Sequence, residues 1–82
     1  MSEQELIEAL ADKEHASWAR WMKYLFSQCD VTSDGSAIIP ARLVKRSQRQ
    51  ADTAYASLSE TEKQSDRNEV ARIVPIIRSY IK

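Results

Sequence analysis

From Ser2 onward the chain meets no proline or glycine before Asp34. Through that run Leu6, Ile7, Leu10, Ala11, Trp18, Met22, Leu25 and Phe26 recur at three- and four-residue steps with charge between them. An apolar stripe of this period predicts an amphipathic helix of roughly 25 residues, long for a globular domain. Ser2 followed by Glu5 is a capping-box pattern, so the helix is expected to start at once. Its first half is acidic (Glu3, Glu5, Glu8, Asp12, Glu14), and Arg20 and Lys23 lie in the second half. That order complements the helix dipole. A helix this long in a chain of 82 residues leaves room for two more elements and no second domain.

Residues 30–36, Asp-Val-Thr-Ser-Asp-Gly-Ser, are dense in turn formers and hold the sole glycine. They read as a loop with a tight turn at Asp34-Gly35. Calcium is excluded, because this stretch lacks the closing glutamate and the spaced carboxylates of a twelve-residue calcium loop. Pro40 suits the first position of a second helix over 41–52, with Leu43, Val44, Ser47 and Ala51 inward. Ser59 and Glu62 repeat the capping box and start a third helix at Glu60, apolar at Val70, Ile73, Val74, Ile77, Tyr80 and Ile81. Pro75 within it loses the bond to the Ala71 carbonyl, so either a kink or two shorter helices meeting near Val74 is expected. The expected fold is all-α, one three-helix domain over 1–82.

Twelve basic residues balance twelve acidic ones, so net charge draws the chain to neither nucleic acid nor anionic lipid. Apolar content of 43% fits a folded chain. The single cysteine, Cys29, leaves no disulfide framework or zinc cluster and points to a reducing cytoplasm. The acidic N-terminus and the lack of a continuous apolar run predict neither a secretory signal nor a membrane span.

Candidate chemistry is sparse. His15 is the lone histidine and falls on the apolar stripe, where a hydrogen-bonded core role is commoner than a ligand or a base. No second histidine, cysteine or nucleophile motif joins it, so no catalytic residue, metal site or cofactor is expected. Trp18, Trp21, Tyr24 and Phe26 cover more than one side of the first helix. Either Trp18 and Phe26 pack inside with Trp21 or Tyr24 half exposed, or the exposed rings form a wall for a planar ligand or an anchor for a partner chain. Exposure of both Trp21 and Tyr24 would favour the partner chain. Arg42, Lys45, Arg46 and Arg49 lie along one face of the second helix, either solvated or paired with acids or open to an anionic partner. As a nucleic-acid footprint the patch is small, which makes that the least favoured reading. Arg67 among aromatic and apolar neighbours is either a bidentate receptor for phosphate or carboxylate or a tie between helices.

Two blocks, Glu14-His15-Ala-Ser-Trp18-Ala19 and Tyr55-x-x-Leu58-x-Glu60-x-Glu62-Lys63-x-x-Asp66-Arg67-Asn68, resemble the RyR domain. This repeat is named after the ryanodine receptor and is also found as small stand-alone bacterial and phage proteins. The middle diverges, with Ile39-Pro40-Ala-Arg-Leu43-Val44 where the family has an aromatic, glycine-rich segment. The resemblance implies a helical, non-catalytic binding module for a nucleotide or nucleotide-derived signal. On that basis, together with the aromatic and arginine content, His15, Trp18 and Tyr55 are expected to line a cleft and Arg67 to supply an anion contact. The alternative is an interaction or assembly module that forms a homo-oligomer. It would use half-exposed aromatics and the apolar end Ile76-Ile77-Tyr80-Ile81, since the chain has more large apolar side chains than a monomer of its size readily hides.

Overall fold

The computed structural model describes residues 1–82. Ser2 is extended (φ −76°, ψ 164°), and its hydroxyl accepts the Glu5 N–H at 3.1 Å while the Glu5 carboxylate accepts the Ser2 N–H at 3.1 Å. This starts helix α1, Glu3–Gln28. It stops at Cys29, which turns extended and donates its N–H to the Phe26 carbonyl.

A small hairpin follows, which the turn formers marked as a loop. β1, Asp30–Val31, pairs antiparallel with β2, Ala37–Ile38, in the register Asp30 to Ile38 and Val31 to Ala37. Strands this short have no room to show a period of two, so only their turn was visible in the sequence. Gly35 takes φ +90° with nothing within 4 Å of a would-be Cβ. The glycine is there for the backbone angle, since no neighbour crowds it. The Asp34 carboxylate closes the turn, accepting the Thr32 hydroxyl at 2.5 Å and the Ser36 N–H at 2.9 Å. Those donors, the Thr32 hydroxyl first, hold its pKa down to about 2.

Pro40 stands one position before α2, Ala41–Ala51, and not within it. Its carbonyl accepts the N–H groups of Leu43 and Val44 at 3.0 and 3.1 Å. Leu43 is the only fully buried residue in the molecule, 3% exposed. Val44 and Ser47 are half-buried and Ala51, expected inward, is exposed. A 3-10 turn, Tyr55–Ser57, leads to the second capping box, in which the Ser59 hydroxyl accepts the Glu62 N–H at 3.2 Å and the Glu62 carboxylate accepts the Ser59 N–H at 3.1 Å. From there α3, Glu60–Ile81, continues through Pro75 without interruption. Of the two outcomes expected at that proline, the split into two helices does not occur. Pro75 is exposed, so the carbonyl freed at Ala71 lies on a solvated stretch and not in a packed interface.

The two long helices run antiparallel. Arg20 grips Glu69 with both arms of its guanidinium, Nε to Oε1 at 3.3 Å and Nη2 to Oε2 at 2.5 Å. Leu10 lies across from Ile73 at the other end of the contact. α2 is attached mostly through polar side chains. Arg46 donates to the Tyr24 hydroxyl at 2.7 Å, Arg42 to Gln28 at 3.4 Å, and Arg49 and Gln50 both reach Glu62 at 2.5 Å. The result is a slab with Cα extents of 51 × 34 × 16 Å and a radius of gyration of 16.5 Å. A compact chain of this length would have a radius of about 12 Å. The apolar stripes therefore have little to pack against. Trp18 and Phe26, expected inside under one reading, are each 56% exposed. No helix is long and apolar enough to cross a membrane.

Candidate functional site

The 3-10 turn folds Tyr55 back toward the second and third turns of α3, where Arg67 projects. Together with Asp66, Val70, Ala71 and Val74 they line a hollow of about 430 Å³. Most of its wall is carbon, which suits the flat face of a ring. The Arg67 guanidinium donates to the Glu60 carboxylate at 3.2 Å and to the Gln64 side-chain carbonyl at 3.5 Å. Glu60, and after it the Tyr55 phenol, push the Arg67 pKa further up. Lys63 joins this group, with its ammonium 3.7 Å from Glu60 and 5.8 Å from the centre of the Tyr55 ring. Two cations thus converge on one carboxylate beside an aromatic ring, and an incoming anion would have to compete with Glu60.

His15 and Trp18 do not join them. The Tyr55 hollow takes no residue from α1. His15 is exposed on α1, its ring centre 5.8 Å from that of Trp18 at 31°. The core role weighed for His15 is not what the fold provides, because the α1 face that carries it has no helix against it. The four residues expected to line one cleft fall into two pairs, His15 with Trp18 and Tyr55 with Arg67. Val70 lines both the Tyr55 hollow and a second cleft of about 390 Å³ between α1 and α3, which includes Leu10, Ala11 and Ile73 and neither His15 nor Trp18.

The basic face of α2 is divided as well. Arg49 is held by Glu62, which raises the Arg49 pKa. Arg46 lies 6.0 Å over the Tyr24 ring besides bonding its hydroxyl, and Arg42 reaches Gln28. Lys45 is exposed. Three of the four charges thus hold neighbouring elements in place.

Two carboxylates do more than the sequence suggested. Glu62 reads as a capping residue, yet Arg49, Gln50 and the Ser59 backbone together hold its pKa down to about 2. Glu69 belongs to no local motif, and Arg20 draws its pKa below the usual carboxylate range. Spacing along one helix could not have found either pairing, because both partners lie in other helices. No cluster of three or more His, Cys, Asp or Glu is placed to hold a metal ion.

Trp21 and Tyr24 are 44% and 40% exposed, their rings 5.7 Å apart, in a groove they share with Arg46 and Gln50 of α2 and Glu69 of α3. Compared with protein-family models, with curated proteins and with solved structures, this chain has no match in any of the three.

Proposed function

We propose that this chain is a non-catalytic interaction module that works by assembly, its apolar helix faces being covered by a partner chain. The observation that carries this is the surface. The chain exposes 6522 Å², whereas a folded monomer of its 9.4 kDa is expected to expose about 5,000 Å². The excess, about 1,500 Å², exceeds the roughly 800 Å² that each partner gives to a standard interface. Much of it is apolar, for Ile7, Trp18, Phe26, Val70 and Ile81 are all more than half exposed. Patches of this size mark contact sites on soluble proteins. Native mass spectrometry with small-angle X-ray scattering tests the reading. The expected result is an assembly larger than one chain. A lone chain with a radius of gyration near 12 Å would overturn it, because the helices would then have closed on one another.

A second reading is favoured by the Tyr55 hollow and by the resemblance to RyR domains. In it a small anionic or nucleotide ligand stacks on Tyr55 and takes Arg67 from Glu60. Calorimetric titration with cyclic and linear nucleotides tests it, the expected result being binding that Arg67→Ala abolishes with helical content unchanged. Absence of binding across the series would remove this reading and leave the first untouched.

A further inference from the structure

On the interaction-module reading the covering partner has still to be identified, and we propose that it is a second copy of this chain, seated across a two-fold axis so that the two α1 helices run antiparallel. Ala11, His15, Trp18, Met22 and Leu25 follow one another at alternating steps of four and three residues, the spacing of a coiled-coil seam. Ala11, His15 and Trp18 are exposed and Met22 and Leu25 are half-buried, and although Ala11 also borders the cleft to α3, the His15–Trp18 stretch of the seam is open to a further helix. Ile7 and Phe26 flank it, 55% and 56% exposed.

The area argues for a second copy. A two-fold contact buries the same patch on both chains, so about half of the excess, roughly 800 Å² from each, reaches the roughly 1,600 Å² of a standard interface. A bound peptide or small molecule would leave most of it open. Charge argues for the antiparallel direction. The acids of α1 all lie between Glu3 and Glu14, while residues 15–28 carry no acid and, with Arg20 held by Glu69, leave Lys23 as their one base without a partner. Parallel helices would set acid beside acid along the first half, whereas antiparallel ones set it beside the acid-free half. An axis between His15 and Trp18 falls near the middle of α1 and lets the two helices overlap along nearly their whole length. It brings His15 of one copy against Trp18 of the other, and small Ala11 against large Met22.

The experiment measures assembly and direction separately. In a Cys29→Ser background, Ala11→Cys and Met22→Cys are prepared as single variants and oxidised with copper phenanthroline, each alone and mixed in equal amounts. The expected result is a dimeric mass by light scattering for all of them, with disulfide-linked dimer forming at least tenfold faster in the mixture than in either variant alone. Rapid linkage of each variant with itself would mean parallel helices and would overturn the proposal. A monomeric mass for the wild-type chain at high micromolar concentration would overturn it too, and iodide quenching of tryptophan then separates the two levels. Readily quenched tryptophans would leave the face open for a different protein, so that only the second copy is lost. Shielded tryptophans in a compact monomer would end the interaction reading with it. Trp18→Asp should convert dimer to monomer, and the cross-linking result stands even if that variant fails to fold.

Discussion

The chain contains the same helix-starting device twice, and the two copies do different work. At α1 the Ser2–Glu5 box caps the helix and touches nothing else. The Glu5 pKa is lowered by the Ser2 backbone and side chain. At α3 the Ser59–Glu62 box makes the same pair of bonds, and Glu62 also takes Arg49 and Gln50 from α2. One carboxylate therefore starts a helix and joins it to another. A local motif fixes where a helix begins, and the neighbours that happen to fold against it decide how much depends on that motif.

The largest expected effect comes from removing that dual role. Glu62→Ala should lower the melting temperature at least twice as far as Glu5→Ala, and hydrogen exchange should show α2 losing protection only in the former. Equal losses would mean that the ties to α2 contribute nothing and that the two boxes are equivalent.

Acid separates them next. The Glu62 pKa lies at about 2 in the fold against 4.5 ordinarily. Between those values the unfolded chain binds more protons, so stability rises with pH across that window. The contribution is complete above pH 4.5 and is lost as pH falls toward 2. Thermal melts from pH 6 to 2 should show a flatter acid limb for Glu62→Gln than for Glu5→Gln. An unchanged limb in Glu62→Gln would place the acid sensitivity elsewhere, with Asp34 the next carboxylate to test.

The caps alone should differ less. Ser59→Ala should cost about 1 kcal/mol, a fall of roughly 4–8 °C for a domain of this size. Ser2→Ala, at a helix end with no tertiary contact, should cost about 0.5 kcal/mol. Differential scanning calorimetry reads both, and a larger loss at Ser2 would reverse the order.

The smallest effect is expected on the basic face. Arg42→Gln with Lys45→Gln should change stability by no more than about 0.5 kcal/mol, whereas Arg49→Gln should follow Glu62→Gln in its effect on α2. Urea titrations decide this. Had the four charges formed one free surface, all of these changes would be alike, and Arg49 is the residue that breaks the group.

The legible parts of the molecule are the local ones. Both capping boxes, the Asp34-Gly35 turn and the extents of α1 and α2 depend on residues within a few positions of one another, so their spacing carried the information. The continuity of α3 through Pro75 was open between two outcomes, because a proline's cost depends on whether the freed carbonyl is buried, and here the residue is solvated. The candidate site was legible only in halves. Tyr55 and Arg67 meet because one turn separates their elements. His15 and Trp18 stay with each other because they are one turn apart on α1.

Three helices, their starts, the sharp turn between the first two and the apolar stripe along α1 follow from the order of residues alone, since hydrogen bonds to near neighbours and a period of 3.6 residues decide those. The docking of the helices brought Glu69 to Arg20 and gathered Arg49 and Gln50 on Glu62. It alone decided that the stripe carrying His15 and Trp18 would face outward. Such pairings join residues far apart in the chain and depend on how helices are docked, and three helices laid in a slab 16 Å thick cannot enclose the apolar faces that each of them brings.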